Sequence, residues 1–143
     1  MIPNNDVQAA LMTRLKASIA ITSLLKTSTD IKESQWQGTT FAYPAVRLSL
    51  GTQVPESGYS CKASSLPFTV ICKDENPSSH NADALAGAVS NTLHGKRWCD
   101  IIQGVRFTSI RVTGLRSATR EDERTWRAEV DFQAMIVPAA SAP

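Results

Sequence analysis

Cysteine is scarce: Cys61, Cys72 and Cys99 are the only three in 143 residues, and no two form a CxxC pair. An odd number at wide spacing excludes a secreted disulfide framework and fits a reducing compartment, so the protein is expected in the cytoplasm where it is made. Histidine is scarcer still, with His80 and His94 alone available as imidazole bases. No apolar run approaches the ~20 residues that span a bilayer, and no basic-then-apolar leader opens the chain, so no membrane partner is expected. A phosphate-cradling Walker loop and a G-x-G-x-x-G turn are both missing. The net charge of +2 excludes strong electrostatic capture of bulk nucleic acid.

The residues that could carry catalysis do not assemble into a constellation. His80 lies beside a helix start, and His94 precedes the helix-ending Gly95, where a cation suits the negative end of the dipole. Ser23-Leu24-Leu25-Lys26 has the S-x-x-K spacing of penicillin-recognising enzymes without the S-D-N and K-T-G partners that give the spacing meaning. Cys99 with His94 would supply two metal ligands, short of the four a structural zinc takes. Glu121-Asp122-Glu123 reads as solvated surface. No enzyme activity, metal or cofactor is expected.

What is present is periodicity. Trp126, Ala128, Val130, Phe132, Ala134 and Ile136 alternate with Arg127, Glu129, Asp131 and Gln133, which gives a strand one dry face and one charged face. Val46, Leu48 and Leu50 form a second such strand, and Leu66, Phe68, Val70 and Cys72 a third. Val105 and Phe107 share one phase while Ile110 and Val112 take the other, so a bulge near Thr108-Ser109 is predicted in a fourth. Cys72 closes a dry face and is expected as a buried, inert thiol.

Helical spacing fills the gaps. Val7, Leu11 and Leu15, with Ala10 and Ile19 close by, predict a first helix capped by Asn5 or Asp6. Ile19, Ile21, Leu24 and Leu25 continue it at a changed angle after Ser18, and Ile31 opens a short edge strand. Asn76-Pro77 predicts the start of a second main helix striped by Ala82, Leu85, Ala86, Val89 and Leu93. Gly51–Ser65, Lys96–Gly104 and Gly114–Arg124 read as loop, connector and charged turn. The expectation is therefore one α+β domain, residues 1–143. Its sheet is four-stranded, antiparallel or mixed, with two main helices on one face in the order helix-strand-strand-helix-strand-strand. A loose tail covers 138–143. At 42% hydrophobic and 20% charged residues, a chain of this length buries roughly 68–70% of its unfolded surface without staples.

The arrangement resembles the tail-completion, or tail-terminator, proteins of long-tailed bacteriophages over roughly residues 5 to 137. The likeness rests on the Val7–Leu25 helical segment, the strand opening at Tyr43-Pro44-Ala45-Val46-Arg47-Leu48, and Leu66–Lys73 running into Ser79–Leu93. The closing pair Val105–Gly114 and Thr125–Ile136 completes it. Family features fall at Pro44, at Leu93, and at Arg127 and Phe132 in an R-x-x-x-x-F final strand. The Gly51–Ser65 loop carries no family signature.

The resemblance implies a structural virion protein. Six copies would form a ring on the end of a finished tail tube, stop tube-protein polymerisation, and meet a head-tail connector or neck protein. Genomic DNA would cross the lumen without being read. Such a ring needs two different complementary patches per subunit. The expected patches are Thr52, Gln53, Glu56, Tyr59 and Lys62 from the long loop, and Arg116, Arg120, Glu121, Arg124, Arg127 and Glu129 from the last hairpin. Lys96 and Arg97 are candidates for lining the DNA channel. A head-side neck ring and a small nucleic-acid-binding module are the rival readings.

Overall fold

A computed structural model describes residues 2–25, 31–33, 44–55, 63–75, 78–120, 123 and 125–138. The N-terminal stripe becomes α1 (Asn4–Lys16), which buries Val7, Ala10, Leu11 and Leu15. Its cap departs from expectation. Pro3 stands at the N-cap and its carbonyl accepts the Asp6 and Val7 amides at 3.0 and 3.3 Å, so Asn5 and Asp6 lie inside the first turn. There the Asp6 carboxylate suits the positive end of the dipole. The change of angle after Ser18 is a single turn, α2 (Ile19–Thr22), which buries Ile21 and leaves Ile19 exposed, against the expected stripe.

The four expected strands are present within a larger mixed sheet of seven. The strands, in chain order, are β1 (Ile31–Glu33), β2 (Ala45–Leu50), β3 (Val54–Pro55), β4 (Ser64–Asp74), β5 (Trp98–Asp100), β6 (Val105–Arg120) and β7 (Trp126–Pro138). Spatial order is β1-β2-β4-β7-β6-β5, with β3 paired to the first residues of β4. Only the β1–β2 pair is parallel among the described pairings. The expected connector therefore holds an edge strand, and the long loop holds β3. The expected turn from Gly114 to Arg124 is strand as far as Arg120.

Strand β7 sits centrally, paired with β4 from Ser64↔Ile136 to Asp74↔Trp126 and with β6 on its other side. The phase switch in β6 is a register shift between Phe107 and Ser109, as predicted, and two further shifts follow at Val112/Gly114 and Arg116/Thr119. Each extra residue adds twist and bends the strand. At the first shift the Thr108 hydroxyl donates to the Met135 carbonyl at 3.1 Å.

Helix α3 (His80–Leu93) buries the predicted stripe and, with α1, covers one face of the sheet. Its proposed start at Asn76-Pro77 lies outside the described residues; the described helix opens after Ser79. Gly95 ends it at φ 72°, a conformation that suits glycine. Between helices and sheet, Phe68 and Phe132 stack at 4.9 Å amid Val46, Leu66, Val70 and Val130.

Cys72 lies in this core, and burial pushes its thiol up to about 12. The unfolded thiol titrates near 8.5. Between those values the unfolded chain binds fewer protons than the folded one, so stability falls as pH rises through that window. The expected slope is about 1.4 kcal/mol per pH unit, and Cys72→Ala should flatten it relative to wild type. Urea unfolding at a series of alkaline pH values checks this. An unchanged slope in Cys72→Ala would refute the assignment.

Beyond Phe107, β6 has no strand on its outer side among the described residues. Groups from α3 and its exit bond to that edge. The Gly95 amide donates to the Ile110 carbonyl at 2.7 Å, the Val112 amide to His94 Nδ1 at 3.0 Å, and the Ala118 amide to Asp83 Oδ1 at 2.9 Å.

Candidate functional site

The face of the sheet opposite the helices carries a row of charges that the register brings together. Arg47 lies opposite Ile71, Ile71 opposite Glu129, and Glu129 opposite Arg116 across β2, β4, β7 and β6. Arg116 reaches Glu129 at 2.7 Å and both Asp131 oxygens at 3.1 and 3.2 Å. Arg127 meets Glu129 at 2.7 Å, and the Thr69 hydroxyl donates to Asp131 at 2.7 Å. Glu129, only 15% exposed, is thus shared by two guanidinium groups. Cross-strand pairing of this kind fixes register and contributes little to stability, about 0.2–1 kcal/mol per pair.

This settles what several expected contact residues do within the subunit. Arg116 and Arg127 both pair with Glu129. Arg120 lies 4.7 Å over the Trp126 ring and donates to the Glu123 carbonyl at 2.6 Å. From the loop, Gln53 donates to the Ile2 carbonyl at 2.8 Å and to Asn4 Oδ1 at 2.9 Å, tying the chain after β2 to the start of α1. Thr52 is exposed beside it. Glu56, Tyr59, Lys62, Glu121 and Arg124 lie outside the described residues.

Lys96 and Arg97 stand in a different setting, at the end of the molecule where α1 and α3 finish and β6 begins. Trp98 of edge strand β5 stacks on Phe107 at 4.3 Å, and Arg14 from the last turn of α1 lies 5.0 Å over the Trp98 ring. Lys96, Arg97 and Arg106 lie nearby in the chain and are exposed, and none of them, nor Arg14, makes an ion pair among the described residues. The turn from β5 into β6 then presents Ile101 and Ile102, 84% and 91% exposed, over a hollow lined by Ala10, Thr13, Arg14 and Trp98. Two adjacent bare isoleucines against an indole form the kind of contiguous apolar patch that marks a contact site. The Asp100 carboxylate holds the turn by accepting the Gln103 amide at 3.0 Å.

Sequence reasoning named Lys96 and Arg97 at this end but missed the isoleucine pair beside them, although a signal was there. Adjacent apolar residues in a turn cannot both point at a core, so Ile101-Ile102 between Asp100 and Gly104 had to leave apolar surface in water.

Among the described residues no cluster of three His, Cys, Asp or Glu side chains could hold a metal, and no helix is long and apolar enough to cross a membrane. What the described surface offers is contacts, with paired charges on one face and a bare apolar pair at one end. A family model described as tail completion protein gp17 matches residues 9–137, and the chain belongs to that family. A solved chain from the virion of a native gene transfer agent particle has the same fold, with a TM-score of 0.69 and 20% identity over 91% of this chain and 93% of that one. No curated protein sequence matches significantly. The protein is a structural, non-enzymatic component of a phage tail, associated with the virion.

Proposed function

We propose that the protein closes into a ring of six on the end of a finished tail tube, where it stops tube-protein polymerisation and presents the surface that joins the head. Membership of the tail-completion family across residues 9–137 carries this reading. The physical picture agrees with it. A closed ring uses head-to-tail contacts between two unlike patches, and the subunit has unlike ends. Genomic DNA crosses the lumen without sequence reading, and a connector or neck protein binds the far side. Assembly takes place in the cytoplasm of the host bacterium. The long-loop and hairpin residues named above remain the proposed contacts to neighbouring subunits and to the tube.

Negative-stain imaging of the purified protein mixed with tail tubes of the same phage tests this. The expected result is density capping one end of each tube, with no further elongation when tube protein is added. Bare tubes, with binding to DNA-filled heads instead, would make the protein a head-side neck ring.

A further inference from the structure

Strand β5 is one edge of the sheet, and its outer side is open. It pairs with β6 alone, and among the described residues nothing bonds to the backbone of Trp98–Asp100 from the other side. In an antiparallel ladder alternate residues turn both amide and carbonyl away from their neighbour, so this edge presents bonding groups to an incoming chain. The outer edge of β6 is occupied by His94, Gly95 and Asp83; β5 has no such cover among the described residues.

The surroundings select the kind of chain. Trp98 and Phe107 share one face of the β5–β6 pair, with Arg14 over the indole, while Cys99 and Arg106 share the other face. Arg14 and Lys96 line a hollow against the end of α3, and Arg97 and Arg106 line another beside Trp98 and Cys99. A third hollow, between α1 and the turn after β5, is walled by Ile101 and Ile102 and shares Arg14 with the first and Trp98 with the second. Among the described residues lining all three, Asp100 is the only acid, and its Oδ1 already accepts the Gln103 amide.

We infer that β5 is a docking edge for an extended acidic segment of another virion protein, which adds as a strand beside Trp98–Asp100. Its carboxylates meet Arg14 and Lys96 on one face and Arg97 and Arg106 on the other, and an apolar side chain covers Ile101 and Ile102. A DNA backbone would satisfy the cations but leave both isoleucines in water, and it has no amide or carbonyl to continue the ladder. The chain's own residues after Pro138, which pairs with Val105, are Ala-Ala-Ser-Ala-Pro and bring no acidic side chain. The inference needs the protein to be a tail component and does not depend on how many copies close a ring. It also gives Lys96 and Arg97 a protein partner in place of DNA.

Fluorescence anisotropy on the full chain tests it with three labelled probes: a short peptide alternating Glu with Val, its counterpart alternating Lys with Val, and a short single-stranded DNA. The Glu–Val peptide should bind about tenfold tighter, or more, than either other probe. Arg97→Glu with Arg106→Glu, and separately Ile101→Ser with Ile102→Ser, should each weaken it by about tenfold. All four positions are exposed, so the thermal midpoint should match wild type. The peptide should also slow amide exchange at Trp98–Asp100 and leave the opposite edge of the sheet, Ile31–Glu33, unchanged. No binding, preference for the Lys–Val peptide or DNA, unchanged affinity in both variants, or protection at β1 alone would overturn the inference.

Carbodiimide cross-linking in purified tail particles then identifies the partner. Lys96 should form zero-length links to Glu or Asp residues of a different tail or neck protein. Links from Lys96 to other copies of this chain alone, or a Lys96 shielded until nuclease treatment, would overturn the choice of occupant. Either result leaves the ring untouched, because capping of the tube decides that separately.

Discussion

A Phe132→Asp subunit is expected not to fold. Phe132 is 1% exposed on the central strand, stacked on Phe68 at 4.9 Å and paired across to Val112. Deleting a buried aromatic costs about 3–5 kcal/mol, and an unpaired carboxylate in the same place adds several more. A domain with about 5–15 kcal/mol of total stability does not absorb that sum. Soluble yield, far-UV circular dichroism and a urea transition would show it. A cooperative transition near the wild-type midpoint would mean that this face of β7 is not the core.

The next largest effect is expected at Gly51, from a substitution that adds atoms. The Gly51 amide donates to the Pro67 carbonyl at 2.8 Å, which pulls the chain after β2 onto β4. A Cβ there would stand 2.8 Å from that carbonyl oxygen and 2.9 Å from Pro67 Cγ, both closer than side chains tolerate. The oxygen belongs to a strand paired on its other side with Gln133, so it cannot retreat without disturbing the register. Gly51→Val should therefore lower stability by about 2–3 kcal/mol. Gly87→Ala is the control. It lies inside α3 with nothing within 4 Å of the added carbon, and should stabilise by about 0.5–1 kcal/mol. Urea midpoints moving in opposite directions would confirm the pair; a neutral Gly51→Val would show that β2 and β4 are not tied there.

The strands with a strict period of two were legible in the sequence because one face is buried over five or more residues, as in β4 and β7. The α3 stripe was legible for the same reason at a period of 3.6. Even the first bulge in β6 could be read, since Ile110 and Val112 are buried or half-buried in the opposite phase from Val105 and Phe107. Beyond Val112 the pattern gives out. Residues 113–120 are all exposed or half-buried, so their faces differ little in burial and the later bulges leave no apolar mark. Strands β3 and β5, of two and three residues, are too short to show any period. The fate of the arginines was half legible. A charged wet face followed from strand alternation, but only the register shows that Arg116 and Arg127 converge on Glu129 while Arg14, far off in sequence, joins Trp98.

The bonds from α3 to the outer edge of β6 have a consequence for life before assembly. A strand with open amides invites other chains to zip onto it. Here His94, Gly95 and Asp83 occupy that edge at Ile110, Val112 and Ala118, and two bulges twist what lies between. Along this stretch of β6 a newly made subunit therefore offers no straight ladder for another chain to extend. Contacts with other chains are thereby left to surfaces other than this edge, and strand-to-strand aggregation along it is blocked before assembly begins.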